Sequence, residues 1–104
     1  MNYLELPLNC YSEGHTPDYS LYSNLEVNGV MTFRLNDGEH FEPIFDSEEA
    51  PIDKRGLFFT IYGRFKTGHV EALHDASSIT ITTYIAQKIT EQNASLEDVQ
   101  IYWK

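Results

Sequence analysis

The sequence predicts an α+β domain, a mostly antiparallel β-sheet with one α-helix from the C-terminal half packed on it. Three observations carry that expectation. Hydrophobic residues at 41 % and aromatics at 13 %, with seven Tyr and six Phe, supply apolar surface for a core despite a formal net charge of −9. Short runs of alternating apolar and polar residues, punctuated by Gly and Asn, fill most of the chain as far as residue 74. Residues 77–92 contain no Gly or Pro and carry apolar side chains at three- and four-residue spacing. A chain of 104 residues is expected to build one core, so 1–104 is read as a single domain.

The elements follow in order. Leu4, Leu6 and Leu8 alternate with Tyr3 and Glu5, the pattern of a strand over 2–9, with Pro7 placing it at an edge or a strand end. Residues 10–20 are polar and turn-rich, a loop. In 25–35, Asn28-Gly29 separates two β-prone runs and matches a two-residue type I′ turn, whose positive φ values those residues tolerate. Beyond it Met31, Phe33 and Leu35 share one face, and Val30, Thr32 and Arg34 the other. Asn36-Asp37-Gly38 makes a second turn into 39–45, where Phe41 and Phe45 share a face and Pro43 marks an edge or truncated strand. These runs read as a three-strand meander.

After an acidic loop over 46–54, residues 56–65 are largely apolar on both faces, which suits a central strand. Lys66-Thr67-Gly68 closes a hairpin into 69–74, anchored by Val70 and Leu73. Ser78 to Thr82 alternates like a strand, yet Ile81, Tyr84, Ile85 and Ile89 form a helical stripe, and sixteen residues is long for a strand. Asp75, Ser77 or Ser78 supplies the N-cap and Asn93 the stop. Val99, Ile101 and Trp103 alternate with Gln100 and Tyr102 as a closing strand.

Charge and composition narrow the function. Sixteen acidic residues against seven Lys and Arg argue against direct nucleic-acid binding, which needs clustered cations, and against docking on an anionic membrane. No apolar run approaches the roughly 18 residues of a membrane span, and the first residues lack the basic and apolar regions of a signal peptide. The single Cys10 forms no intrachain disulfide, so a reducing cytoplasm is the expected compartment. The charge is also unevenly placed. Residues 1–53 hold eleven carboxylates against Arg34 alone, a net of −10, whereas 54–104 hold five against six cations, a net of +1.

The inventory of reactive groups is unspecific. His15, His40, His69 and His74 lack zinc spacing, and His69 and His74, five apart on a strand, point to opposite faces. Neither a metal nor another cofactor is expected. Cys10 sits beside Asn9, Tyr11 and Glu13, which provide no activating base, and reads as a buried or incidental thiol. Gly14, Gly29, Gly38, Gly56, Gly63 and Gly68 fall in loops, turns or near strand ends and form no phosphate loop. Paired carboxylates abound, but a short chain leaves little room for a deep substrate cleft, so no enzyme activity is expected.

The segment 37–53 stands out. Asp37, Glu39, Glu42, Asp46, Glu48, Glu49 and Asp53 occur there with Phe41, Ile44, Phe45 and Ile52 interleaved and no Lys or Arg. Such a run is ordinarily a solvated rim that keeps a protein soluble. Here the missing counter-charge favours a contact surface. Carboxylates two apart on one strand face lie roughly 7 Å from each other, so a row of them would fit a basic groove built for phosphates, as a DNA mimic does.

The order Leu57-Phe58-Phe59-Thr60-Ile61-Tyr62-Gly63-Arg64, then Gly68-His69-Val70-Glu71-Ala72-Leu73-His74-Asp75 and a helix, resembles small α+β proteins of phages and mobile elements. Some of these, certain anti-CRISPR and anti-restriction proteins among them, are acidic inhibitors of host nucleases. The resemblance covers about half the chain, rests on a strand-turn-strand-helix cadence and carries over no functional residue. It implies a non-enzymatic inhibitor that evades host defence by binding a basic nuclease or effector complex, in the host cytoplasm if phage-encoded. An immunity protein or antitoxin against a toxin nuclease, and a small homodimeric module held by exposed Tyr and Phe, are the alternatives.

Overall fold

β1 (Tyr22–Leu35) is the strand on which the rest of the sheet is built. In the computed structural model, which describes residues 3–6, 8–11, 16–45 and 56–103, one edge of β1 pairs antiparallel with β3 (Leu57–Phe65), from Tyr22↔Phe65 to Met31↔Leu57. The opposite edge is shared end to end. β2 (Gly38–Ile44) pairs antiparallel with residues 29–35, and β5 (Gln100–Tyr102) pairs in parallel with Glu26, Val27 and Asn28. β4 (Val70–Ala76) adds antiparallel to the far side of β3, giving the order β2-β1-β3-β4 with β5 beside β1. The fold is therefore α+β, with α1 (Ile79–Gln92) packed on one sheet face.

Strand alternation decides what meets the helix. Leu25 and Val27 of β1, Ile61 of β3 and Leu73 of β4 form the core with Ala86 and Ile89 of α1, all fully buried. The helix begins at its cap: Ser78 Oγ accepts from the Ile81 amide at 3.3 Å, and the Asn93 amide closes the last turn on the Thr90 carbonyl. Its Thr-rich composition is accommodated because buried Thr82 donates its hydroxyl to the Ser78 carbonyl at 2.7 Å, and Thr90 to the Ala86 carbonyl at 2.9 Å. The central position of β3, the turn before β4 and the helix with its Ser78 cap agree with the sequence reading.

Asn28-Gly29 is not a turn. β1 runs straight through it, and Gly29 is not among the positive-φ glycines, which are Gly38, Gly56 and Gly68. The glycine instead makes room for an aromatic ring: a Cβ at position 29 would lie 2.5 Å from Trp103 Cζ3. Gly63, near the end of β3, makes room for Tyr22 in the same way. Gly29 thus lies well inside its strand, not near an end, whereas Gly63 is two residues from the end of β3. The expected three-strand meander is thus one hairpin, with Gly38 at φ +126° opening β2 directly after the turn. Pro43 does lie on an edge strand.

The N-terminal strand is replaced by a 3-10 turn, Tyr3–Glu5. Tyr3 packs edge-on against Tyr84 of α1 with ring centroids 6.1 Å apart, and its amide donates to Gln92 Oε1 at 2.6 Å. Leu4 and Leu6 reach the core from this turn and buried Leu8 follows, so apolar residues expected to face a sheet cover it as a strap. Asn9 then imitates a strand, its Nδ2 donating to the Asp75 carbonyl at 2.8 Å and its Oδ1 accepting the Asp75 amide at 2.7 Å. The Cys10 amide donates to the Leu73 carbonyl at 3.0 Å. Those bonds occupy the outer edge of β4. A second 3-10 turn, Tyr19–Leu21, capped by Asp18, brings buried Tyr19 into the loop before β1.

Candidate functional site

The polar partners of Leu25 and Val27 point away from the helix. Asn24, Glu26 and Asn28 of β1 share the second sheet face with Val30, with Thr60, Tyr62 and Arg64 of β3, and with Phe41 and Pro43 of β2. Among the described residues no helix covers this face, yet its floor is buried: Glu26 is 5 % exposed, Asn28 7 % and Thr60 2 %. Aromatic side chains pair at its rim. Phe45 meets Tyr102 edge-on at 6.3 Å, and Phe41 meets Phe58 at 6.1 Å.

Two hollows remain. One, of about 300 Å³, is lined by Glu26, Asn28, Pro43, Phe45, Tyr62, Arg64, Val70 and Tyr102. The other, of about 210 Å³, lies towards β4 and includes Val30, Phe41, Phe58, Thr60 and Asp75, with Tyr62 forming the wall between them. Phe41 is 60 % exposed and Phe45 49 %. Exposed aromatics thus surround a polar floor on this face.

Burying a carboxylate is costly unless it is paired and hydrogen-bonded. Arg64 satisfies Glu26 with a two-pronged fork, Nε to Oε2 at 2.8 Å and Nη2 to Oε1 at 2.9 Å, while Nη1 donates to the Gly68 carbonyl. That carboxylate raises the arginine pKa above its ordinary value. Thr60 Oγ1 donates to Asp75 Oδ1 at 2.6 Å, and burial raises the Tyr62 hydroxyl above the usual range. Asn28 differs from its neighbours: Nδ2 is shielded from solvent and has no hydrogen-bond acceptor.

Of the acidic residues singled out in the sequence, Asp46, Glu48, Glu49 and Asp53 lie outside the described residues. Asp37 is exposed in the β1–β2 turn, with His40 Nε2 2.8 Å from its Oδ1. Glu39 and Glu42 are exposed on β2 but three apart, so they occupy opposite faces: Glu39 with Phe41 on the open face, Glu42 with buried Ile44 on the helix side. They do not form a row. Phe41 and Phe45 do share the open face.

Glu26, Asn28, Tyr62, Arg64 and Tyr102 were not recognised as site residues from sequence. The signal was present in the alternation of Asn24, Glu26 and Asn28 with Leu25 and Val27, but a turn at Asn28-Gly29 would have interrupted it. Cys10 is exposed, not buried, and its thiol is pushed up to about 12 by partial burial and by Asp75, which leaves it unactivated. Among the described residues no three His, Cys, Asp or Glu side chains are grouped to hold a metal, and no helix is long and apolar enough to cross a membrane. The chain matches no protein-family model, no curated protein and no solved structure.

Proposed function

We propose that this protein is a non-enzymatic inhibitor that docks on the basic surface of a nucleic-acid-processing protein, a nuclease or effector complex of the host cell, and acts in that cell's cytoplasm against its defence. The observation that carries this reading is β2: an edge strand exposed from Gly38 to Pro43, with Phe41 and Phe45 beside Asp37, Glu39 and Glu42. Aromatic anchors bury area at a contact, while carboxylates on both faces of the strand steer a cationic partner and repel anionic ones. The acidic segment continuing to Asp53 extends the same charge along the sequence. A cognate toxin nuclease would be engaged by the same chemistry, and a toxin gene next to this one would identify that case.

The test is capture of the partner from host lysate at low and high salt, by the native chain, by Asp37→Asn/Glu39→Gln/Glu42→Gln and by Phe41→Ser. A basic nuclease or effector subunit should be retained at low salt, released by salt, and weakened by both variants. Retention that ignores both salt and the charge variant would sink the reading.

A homodimeric module is the second reading, favoured by Tyr84 and Ile101, which are exposed and line a helix-side hollow with Trp103, and by exposed Ile81 on the same helix. Light scattering decides it: a monomer at high concentration removes this reading.

A further inference from the structure

The hollow over Asn28 has features that edge-strand docking does not use. Its floor is electrically closed, because both Glu26 oxygens are held by the Arg64 fork. Its walls are aromatic, Tyr62 on one side and the Phe45–Tyr102 pair on the other. Asn28 also lines it, and its Nδ2 is an orphaned buried donor of the kind native structures rarely leave without an acceptor. A volume of about 300 Å³ holds a single ring with one substituent.

Charge narrows the occupant further. A cation would meet the Asn28 donor and the Arg64 guanidinium, and no carboxylate oxygen of Glu26 is left without a partner. An anion would approach a chain of net charge −9 and meet Glu26 on the floor. A neutral acceptor suits the site, and a flat ring suits aromatic walls. We propose that this pocket binds an uncharged planar ring bearing a carbonyl, either a carboxamide or the lactam edge of a nucleobase, with the carbonyl on Asn28 Nδ2 and the ring between Tyr62 and the Phe45–Tyr102 pair. The pocket shares Phe45 with the proposed docking edge but is tested without any partner.

Benzamide, benzamidinium and benzoate are nearly isosteric and differ in charge, so NMR titration of the full chain with each tests the chemistry directly. Benzamide should shift the Asn28 side-chain amide and the Tyr62 and Tyr102 ring signals, and bind at least about tenfold more tightly than either charged probe. Asn28→Asp exchanges the donor for an acceptor and should reverse the order in favour of benzamidinium. If that variant fails to fold, Tyr102→Ser, at a half-exposed position, should weaken benzamide about fivefold or more by removing a wall. Uracil in parallel separates the sources: tighter uracil indicates a nucleobase, tighter benzamide a carboxamide. Equal or better binding of a charged probe to the native chain, or an unmoved Asn28 amide, overturns the proposal.

Discussion

Adding one methyl group at Gly63 should unfold this protein more readily than most surface changes. In Gly63→Ala the new Cβ would lie 2.6, 2.7 and 2.8 Å from Cε1, Cζ and Cδ1 of the Tyr22 ring, where ordinary carbon contacts need about 3.5–4.0 Å. The ring has nowhere to go. Tyr22 is 1 % exposed, Phe65 packs on it at 4.9 Å, and its hydroxyl donates to Glu71 Oε2 at 2.7 Å. Overpacking of this kind costs about 1–3 kcal/mol. Withdrawal of the ring also loses a hydrogen bond to a charged group, about 1.5–3 kcal/mol. Relief of glycine's backbone entropy returns about 0.5–1 kcal/mol. The expected net loss is about 3 kcal/mol, with a fall in Tm of about 12 °C or more. Urea denaturation followed by circular dichroism measures it. The methyl should cost much less in a Tyr22→Leu background, because the obstructing ring is gone. A Gly63→Ala protein within about 0.5 kcal/mol of the native chain, or an equal loss in both backgrounds, would refute the steric account.

Other perturbations have distinct readouts. Gly29→Ala puts its Cβ against the far end of Trp103, which sits just beyond β5 and can swing out, so the expected loss is smaller, about 1 kcal/mol. Trp103 is the sole tryptophan, so its emission should shift to the red; unchanged emission would contradict the packing. Burial lowers the His74 pKa below its ordinary 6.5, and the neutral ring accepts the Asn9 amide at Nδ1. Below 6.5 the unfolded chain therefore binds the proton first, and stability should fall as pH drops from 6.5 towards the folded value. His74→Gln should flatten that slope, and an unchanged slope would assign it to other groups. Cys10, with its thiol at about 12, should react with iodoacetamide at pH 8 on the order of 100-fold more slowly folded than in urea, although it is exposed. Equal rates would show an ordinary thiol.

Local periodicity made much of the fold legible. The spacing of Ile81, Tyr84, Ile85 and Ile89 marked the helix but not its buried face, since Ile81 and Tyr84 are exposed while Thr82 and Ala86 are buried beside Ile89; Ser78 capped it, and the two apolar faces of β3 matched its central place. Residues whose role depends on a distant side chain were not legible in the same way. Asn28-Gly29 has the composition of a hairpin turn, and only Trp103, more than seventy positions later, explains why glycine is needed inside a strand. Leu4, Leu6 and Leu8 were correctly apolar, but alternation does not distinguish a strand from a strap that reaches the core through a 3-10 turn. The acidic run was legible as charge. Its arrangement was not, since Glu39 and Glu42 are separated by the strand's own two-residue period. The Glu26–Arg64 fork joins positions 38 apart and needed the β1–β3 register to become visible.

The sharing of one β1 edge by β2 and β5 has a consequence for how the chain is made. Glu26, Val27 and Asn28 leave the ribosome early, but their partners Gln100, Ile101 and Tyr102 emerge long after β4. At about 5–20 residues per second, roughly 4–15 seconds of synthesis separate the two events. During that interval the nascent sheet has an unpaired notch in its longest strand, and the aromatic wall that Tyr102 contributes is missing. A chaperone or a neighbouring nascent chain can occupy such a notch by strand addition. β5 thus completes the open face only after β2, β3 and β4 have been made, so pulse-chase proteolysis should find this notch becoming resistant after those strands.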